Sequence, residues 1–226
     1  MIILSVRGWI LIDVLERLHN SRLVTWELKT FLWQQNFLTA KWWFIAIIIA
    51  ISYAIWWKFT DKKRIIELLL FGSFIAVCRV IFDDWGINSG RWTYVIDIVP
   101  LGVSLFLNDL TIVPLSYMLA YQYSPSWSRF LVTTVILQSA ISFAFLPLLS
   151  RLGILIIHNW HVGYTFIFMM VVSITMRTII LLGLNLQRNS RLQYSESISY
   201  ELIPQPAMKP VQEDVKNEVV KNNNKN

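Results

Sequence analysis

Ionisable and hydrogen-bonding side chains are concentrated in one part of an otherwise apolar chain, between residues 79 and 123. A charged group within apolar sequence is costly to bury unless it is paired or hydrated, so such groups are candidates for a functional site. Arg79 and Asp83 are four residues apart and would share one helix face, where they can form an ion pair. The alternative is an ordinary rim of loop charges around one structural pair. The candidate polar site consists of Arg79, Asp83, Asp84, Tyr94, Asp97, Asp109, Tyr117 and Gln122.

Two aspartates in this region, Asp97 and Asp109, are the least easily explained as loop charges. Both are flanked by apolar residues, and prolines follow at positions 100 and 114. Asp109 stands where a helix would begin, so its carboxylate can cap unpaired backbone N–H groups. Asp97 has no evident capping role. We predict that Asp109 faces the protein interior, within reach of Tyr94 or Arg79.

The chain lacks the residue sets that metal and cofactor sites require. His158 and His161 are three residues apart, but no nearby Glu or Cys supplies a third ligand. Neither Gly-x-Ser-x-Gly, nor a phosphate-binding glycine loop, nor His-Glu-x-x-His occurs in the sequence. The single cysteine, Cys78, excludes an intrachain disulfide. We therefore predict no metal and no cofactor, and we assign no catalytic residue.

The composition indicates which elements must position these side chains. Of the 226 residues, 55% are hydrophobic and only 15% are charged, against roughly 25% charged in an ordinary soluble domain. This excludes a disordered chain and a soluble nucleic-acid binder with a dense basic surface. We expect the lipid bilayer as a partner, and no nucleic acid. The sequence predicts an all-α, multi-spanning helical membrane protein.

Five membrane spans are predicted, at about residues 42–57, 65–82, 109–123, 130–149 and 164–184. The first, WWFIAIIIAISYAIWW, contains no charged residue and is enclosed by Lys41 and Lys58. At about 1.5 Å per residue it covers roughly 24 Å, slightly less than a hydrocarbon layer of about 30 Å. Tryptophan pairs at both of its ends suit the two interfaces of a bilayer.

Residues 94–107 are predicted to form a re-entrant or interfacial segment, because Asp97 and Pro100 interrupt their apolar sequence. The alternative is a sixth span. The loop 58–64 carries four basic residues and is predicted to be cytoplasmic, whereas the loop 83–93 is predicted to be external. One crossing between residues 94 and 123 returns the basic tail to the cytoplasm, and two crossings would export it. The charges therefore favour five spans.

The two terminal regions differ in composition from the transmembrane domain 42–185. Residues 1–41 mix large apolar residues with charges at short intervals, which predicts an amphipathic helix lying on the membrane surface. Residues 186–226 contain three prolines, mixed charges and the sequence KNNNKN. Such a segment buries too little apolar surface to offset its ordering entropy, so we predict a disordered cytoplasmic tail.

The order of several short motifs points to a relationship with known sequences. The motifs are Trp42-Trp43, Trp56-Trp57-Lys58 with Asp61 to Arg64, Asp83 to Gly86, Trp92 to Tyr94, and Asp109 and Pro114 with Tyr117 to Tyr123. Over residues 25–185 they resemble an uncharacterised integral membrane protein family of spore-forming Firmicutes. The chain departs from that pattern at residues 146–147, where a Glu before the Pro is expected, and at residues 163–167. The resemblance implies a multi-pass protein of the bacterial plasma membrane with a link to sporulation.

Three classes of function remain open. The leading expectation is a non-enzymatic structural or accessory membrane component with a membrane-protein partner. The second is a small-solute binding or transport subunit, with Tyr94, Asp97 and Asp109 lining an external-facing polar cavity. The third is a membrane-embedded enzyme that acts on a lipid or envelope precursor through an aspartate as acid or base. Dispersed, individually paired charges favour the first class, a shared buried cavity the second, and outward-pointing acids at the interface the third.

Overall fold

The computed structural model describes residues 2–100 and 106–202, and in them the chain is mostly helical. The helices are α1 (Ile2–Asn36), α2 (Ala40–Phe59), α3 (Ile65–Asn88), α4 (Val113–Gln122), α5 (Trp127–Ser139), α6 (Leu146–Arg151) and α7 (Val162–Leu202). A 3-10 turn (Lys62–Arg64) precedes α3, and two π-helical segments, Leu107–Ile112 and Ala140–Phe145, precede α4 and α6. The described strands are β1 (Trp92–Tyr94) and β2 (Leu155–Ile157).

Four helices in the described residues are long and apolar enough to cross a membrane. They are Ala40–Phe59, Lys62–Asn88, Trp127–Arg151 and Val162–Ser190, and they contain four of the five predicted spans. Many of their large apolar side chains, such as Ile47 and Ile51, are about half exposed. A helix that satisfies its own backbone and leaves apolar side chains uncovered suits a lipid surrounding.

The remaining predicted span, 109–123, corresponds to a shorter helical segment in which a six-residue π-helix is followed by the ten residues of α4. Pro114 lacks the N–H that a regular α-helix would direct to the carbonyl of Leu110. The Tyr53 hydroxyl of α2 donates to that carbonyl at 3.0 Å and so ties α2 to the break. A fifth full span stays a prediction.

The strands β1 and β2 pair in an antiparallel sheet, with Trp92 opposite Ile157 and Tyr94 opposite Leu155. Alternate side chains of a strand share a face. Trp92 and Tyr94 are therefore both buried, while Thr93 between them is exposed. This strand turns two polar aromatic side chains toward the end of α3.

The predicted re-entrant segment 94–107 is described only in part, because residues 101–105 lie outside the described residues. Residues 95–100 form irregular backbone after β1. The indole N–H groups of Trp33 and Trp42 both donate to the carbonyl of Ile98, at 3.1 and 3.3 Å. These bonds hold the segment against α1 and α2, and its re-entrant character stays a prediction.

Two apolar clusters surround α3, one at each of its halves. In the N-terminal half, the Phe71 ring stacks on Tyr121 of α4, with centroids 4.5 Å apart. In the C-terminal half, the Phe82 ring stacks on Phe168 of α7, with centroids 4.1 Å apart. Burial of these aromatic side chains fixes α3 as the central helix.

The terminal regions differ from their predictions in detail. The helix α1 exposes the successive apolar residues Ile10, Leu11 and Ile12, which point in different directions around a helix. Its position on a membrane surface stays a prediction.

The chain divides into a unit Met1–Leu181 and a unit Leu182–Asn226. In the second unit α7 continues to Leu202, so residues 186–202 are helical where composition predicted disorder. No proline occurs before Pro204 in this stretch. The predicted disorder of residues 203–226 lies outside the described residues.

Candidate functional site

The polar site centres on Arg79, which faces the interior from α3 and is 3% exposed. Its Nη2 lies 3.3 Å from Asp83 Oδ1, one turn further along α3. Its Nε lies 2.9 Å from Asp109 Oδ1, which the first π-helical segment supplies. Both carboxylates have an exposure of 0%. We call these three residues the Arg79 cluster.

Strand β1 supplies the other partners of Asp83. The Tyr94 hydroxyl donates to Asp83 Oδ1 at 2.8 Å, and Trp92 Nε1 donates to the same oxygen at 3.0 Å. Bonds of this kind to a carboxylate are stronger than bonds between neutral groups. Gly86 makes the approach of the indole possible, because a Cβ at position 86 would lie 1.9 Å from the Trp92 ring.

Asp109 lies in a π-helical segment that buries three polar side chains, those of Asn108, Asp109 and Thr111, together with Leu107. Asn108 Nδ2 donates to Asp109 Oδ1 at 3.0 Å, and Asn108 is 1% exposed. The carboxyl groups of Asp83 and Asp109 both contact the guanidinium of Arg79. A π-helical turn inserts one residue relative to an α-helix, and such turns recur at functional sites. Here the turn places Asn108 and Asp109 next to α3.

Tyr94 remains a hydrogen-bond donor over the whole physiological pH range. Burial raises the pKa of its phenol well above the ordinary value of 10, and the carboxylates of Asp109 and Asp83 add to this shift. An ionised phenol beside two carboxylates would be a third negative charge in the same place. Tyr94 therefore acts as a neutral donor to Asp83.

Tyr117 is buried but bonds to a different set of residues. Its hydroxyl donates to Gln138 Oε1 at 2.9 Å, and Gln138 Nε2 donates to Ser142 Oγ at 2.8 Å. All three side chains have an exposure of 0%. This uncharged chain of hydrogen bonds connects α4 to the second π-helical segment.

Five of the eight candidate residues lie outside the Arg79 cluster. Tyr94 donates to it, Tyr117 belongs to the uncharged chain of hydrogen bonds, and the remaining three are Asp84, Gln122 and Asp97. Asp84 is exposed on α3. Gln122 lies at the other end of the bundle, where its Nε2 donates to the carbonyl of Phe59 at 2.9 Å. Asp97 is half-buried, and burial raises its pKa from the ordinary value of 3.8 to about 6. The nearby Lys29 ammonium opposes this shift, and the Asp83 carboxylate adds to it.

The predicted start of the loop at residue 83 was wrong. The helix α3 continues to Asn88 and carries both Asp83 and Asp84. Sequence reasoning also omitted Trp92 and Gln138 from the site. The alternation of Trp92 and Tyr94 around a threonine could have revealed the shared strand face. Gln138 carries no charge and lies in an apolar run, so its sequence context gave no signal.

A small pocket adjoins the cluster at the end that the sheet covers. Its volume is about 20 Å³, which is room for a single water molecule. Arg79 Nη1 and Asp83 Oδ2 are buried and have no hydrogen-bond partner among the described residues. Within those residues no group of three His, Cys, Asp or Glu side chains could hold a metal ion. The pocket is lined by Arg79, Trp92, Tyr94, Leu146, Leu155, Ile157, Trp160, Val162 and Thr165.

The fold and the site define a mostly helical protein with four helices long and apolar enough to cross a membrane, and with a buried ionic cluster between them. No family model, curated protein or solved structure matches the chain. The resemblance to a family of spore-forming Firmicutes therefore stays a prediction.

Proposed function

We propose that the protein is a proton-coupled binding or transport subunit for a small solute, and that the Arg79 cluster is its proton-binding centre. The observation that carries the proposal is the ratio of charges in the cluster. Two carboxyl groups share one guanidinium, and all three side chains are buried. Two buried carboxyl groups on one cation do not both stay ionised, so the pair holds one proton.

The geometry supports this class over the two others. A scaffold needs only dispersed and individually paired charges, whereas here α3, β1 and a π-helical segment meet at one cluster. An enzyme acting on lipid headgroups needs acids at the interface, whereas Asp83 and Asp109 are fully buried. Of the three residues that the sequence suggested for a solute site, Asp109 and Tyr94 lie at the cluster and Asp97 does not. Arg79 and Tyr94 line the pocket and would face a solute that carries an acceptor oxygen.

The proton changes how tightly the elements are held together. With one proton the cluster is neutral, since one carboxylate balances Arg79. Without it the two carboxylates carry one more negative charge than Arg79 balances, in a buried site, and they repel each other. Asp109 lies on the π-helical turn, which is the irregular part of its segment. Proton release therefore favours separation of this turn from α3, and it frees Arg79, which lines the pocket, from one of its two partners.

Infrared spectroscopy of the purified full-length protein tests the proton directly. At neutral pH we expect the carbonyl stretch of one protonated carboxyl group in the wild type. Asp83→Asn and Asp109→Asn should each abolish it, because the remaining carboxylate then pairs with Arg79. Asp84→Asn is the matched control, since Asp84 is adjacent in sequence but exposed. A spectrum without this band in the wild type would overturn the proton-binding centre.

Reconstitution into liposomes with an internal pH-sensitive dye tests the coupling. Mixtures of amino acids, monosaccharides and nucleosides are added outside under an inward proton gradient. We expect one mixture to accelerate acidification in the wild type and in Asp84→Asn, and to have no effect in Asp83→Asn. Equal rates for all mixtures and all variants would contradict the transport function.

A further inference from the structure

We propose that a groove between α2 and α4 binds one anionic phospholipid of the leaflet that the loop 58–64 faces. This groove has a volume of about 170 Å³ and lies outside the proton-binding centre. An apolar cavity of about 150 Å³ in another protein stays dry and admits hydrocarbon. The groove is lined by Ser52, Ile55 and Trp56 of α2 and by Leu115, Ser116 and Leu119 of α4.

The buried indole of Trp56, which lines the groove, carries a hydrogen-bond donor. Trp56 is 7% exposed, lines the groove, and its Nε1–H has no hydrogen-bond partner among the described residues. The Nε1 groups of Trp42, Trp92 and Trp160, by contrast, all donate to an oxygen. A buried N–H without a partner is costly, so natural proteins rarely leave one.

The position of Trp56 identifies the missing acceptor. Trp56 lies in the last turn of α2, next to the basic loop 58–64. Tryptophan at the end of a membrane span favours the level where a bilayer changes from hydrocarbon to headgroups, and the proposal places Trp56 there. A lipid whose acyl chain fills the apolar groove places its ester carbonyl at this level. The carbonyl would accept from Trp56 Nε1, and the chain would contact Ile55 and Leu119.

The charges beside the groove select an anionic headgroup. The Lys62 ammonium lies 5.9 Å from the centroid of the Trp56 ring and 3.6 Å from that of Trp57. Arg64 is already paired with Glu67, at 2.7 Å. Lys62 and its neighbour Lys63 therefore provide the positive charge for a lipid phosphate and an anionic headgroup, as basic residues beside a membrane span do.

Native mass spectrometry of the full-length protein tests the site. The protein is reconstituted with equal amounts of phosphatidylglycerol and phosphatidylcholine, transferred to detergent, and analysed for retained lipid. We expect one phosphatidylglycerol per chain, retained at least fivefold over phosphatidylcholine. Trp56→Phe keeps the aromatic ring and removes only the N–H, and it should lower this retention about fivefold. Trp43→Phe, the matched control at an exposed position at the other end of α2, should retain the lipid as the wild type does.

Two further variants separate the parts of the site. Ser52→Leu fills the groove and should abolish retention of both lipids, while Lys62→Gln should reduce the preference for the anionic lipid to near equality. Unchanged melting temperatures would show that the variants are folded. Equal retention of both lipids by the wild type, or full retention by Trp56→Phe, would overturn the proposal. An unchanged infrared carboxyl band in Trp56→Phe would show that this site is independent of the proton-binding centre.

Discussion

Replacing Arg79 by leucine should destabilise the protein more than any neutralisation of one carboxylate in the cluster. Arg79 is 3% exposed and is within 3.3 Å of both Asp83 and Asp109. Arg79→Leu leaves two buried carboxyl groups without their cation. Asp83→Asn leaves Arg79 paired with Asp109, and the new amide oxygen still accepts from Tyr94.

The size of each loss in stability depends on whether the substitution leaves an unpaired charge buried. Removing one partner of a buried ion pair costs about 3–5 kcal/mol in the free energy of unfolding. For a chain of this size that lowers the melting temperature by about 6–20 °C. Asp83→Asn weakens the hydrogen bonds that this side chain accepts from Arg79, Trp92 and Tyr94 but leaves no unpaired charge. We expect a cost of about 1 kcal/mol, or roughly 2–4 °C.

The assay uses the single cysteine of the chain. Cys78 is half-buried next to Arg79, so a thiol-reactive fluorogenic dye reports its exposure when the purified protein is heated. Loss of helical circular dichroism provides a second readout that does not depend on the region around Cys78. The triple variant Arg79→Leu, Asp83→Asn, Asp109→Asn should recover at least half of the loss, because no charge then remains in the cluster.

Acidification gives an internal check on the same variant. Protonation of both carboxyl groups removes the uncompensated charge, so the deficit of Arg79→Leu should shrink as the pH falls from 7 to 5. A melting temperature of Arg79→Leu within 2 °C of the wild type would refute the reasoning. So would a triple variant that is less stable than Arg79→Leu alone.

Two further predictions concern pH and packing. Burial raises the pKa of Asp97 from 3.8 to about 6. Between these two pH values the folded protein therefore keeps a proton on Asp97 that the unfolded chain has released. The free energy of unfolding should therefore fall as the pH rises from about 4 to about 6, and Asp97→Asn should flatten this slope in denaturation curves; an unchanged slope would contradict the assignment. Gly86→Ala should lower the melting temperature more than Gly72→Ala. The new Cβ at position 86 would meet the rigid Trp92 indole at 1.9 Å, whereas at position 72 it would meet the flexible Met118 side chain, whose terminal methyl is the nearest atom at 2.2 Å. Equal losses would contradict this packing.

Helical spacing and local charge were sufficient to anticipate part of the site. Arg79 and Asp83 pair because residues four apart share a helix face. Asp109 was expected in the interior within reach of Tyr94 or Arg79, and its Oδ1 lies 2.9 Å from Arg79 Nε. Four predicted spans lie within four helices of membrane-spanning length, because long uncharged runs leave few alternatives.

The rest depended on tertiary contacts that no local pattern contains. The charges at Asp83 and Asp84 suggested the start of a loop, but Asp83 is buried by Trp92 and Tyr94, and α3 continues past it. The strand β1 exists because it pairs with β2, more than 60 residues later in the chain. The π-helical turn at Asp109 likewise has no signature in the spacing of its apolar residues.

The split origin of the Arg79 cluster has a consequence for biosynthesis. Each ionised side chain at the centre of a membrane helix opposes insertion by about 2.5–3.5 kcal/mol when it enters the bilayer alone. Arg79 is synthesised with α3, and Asp109 follows about 30 residues later. Both penalties are lower if α3 stays beside the insertion channel until Asp109 has been synthesised. Arg79 and Asp109 can then pair before they enter the lipid, and the two segments insert together as a hairpin. β2 is synthesised later, after both members of the ion pair, and pairs with β1 only then. The order of Arg79, Asp109 and β2 along the chain thus sets the order in which the parts of the cluster can assemble.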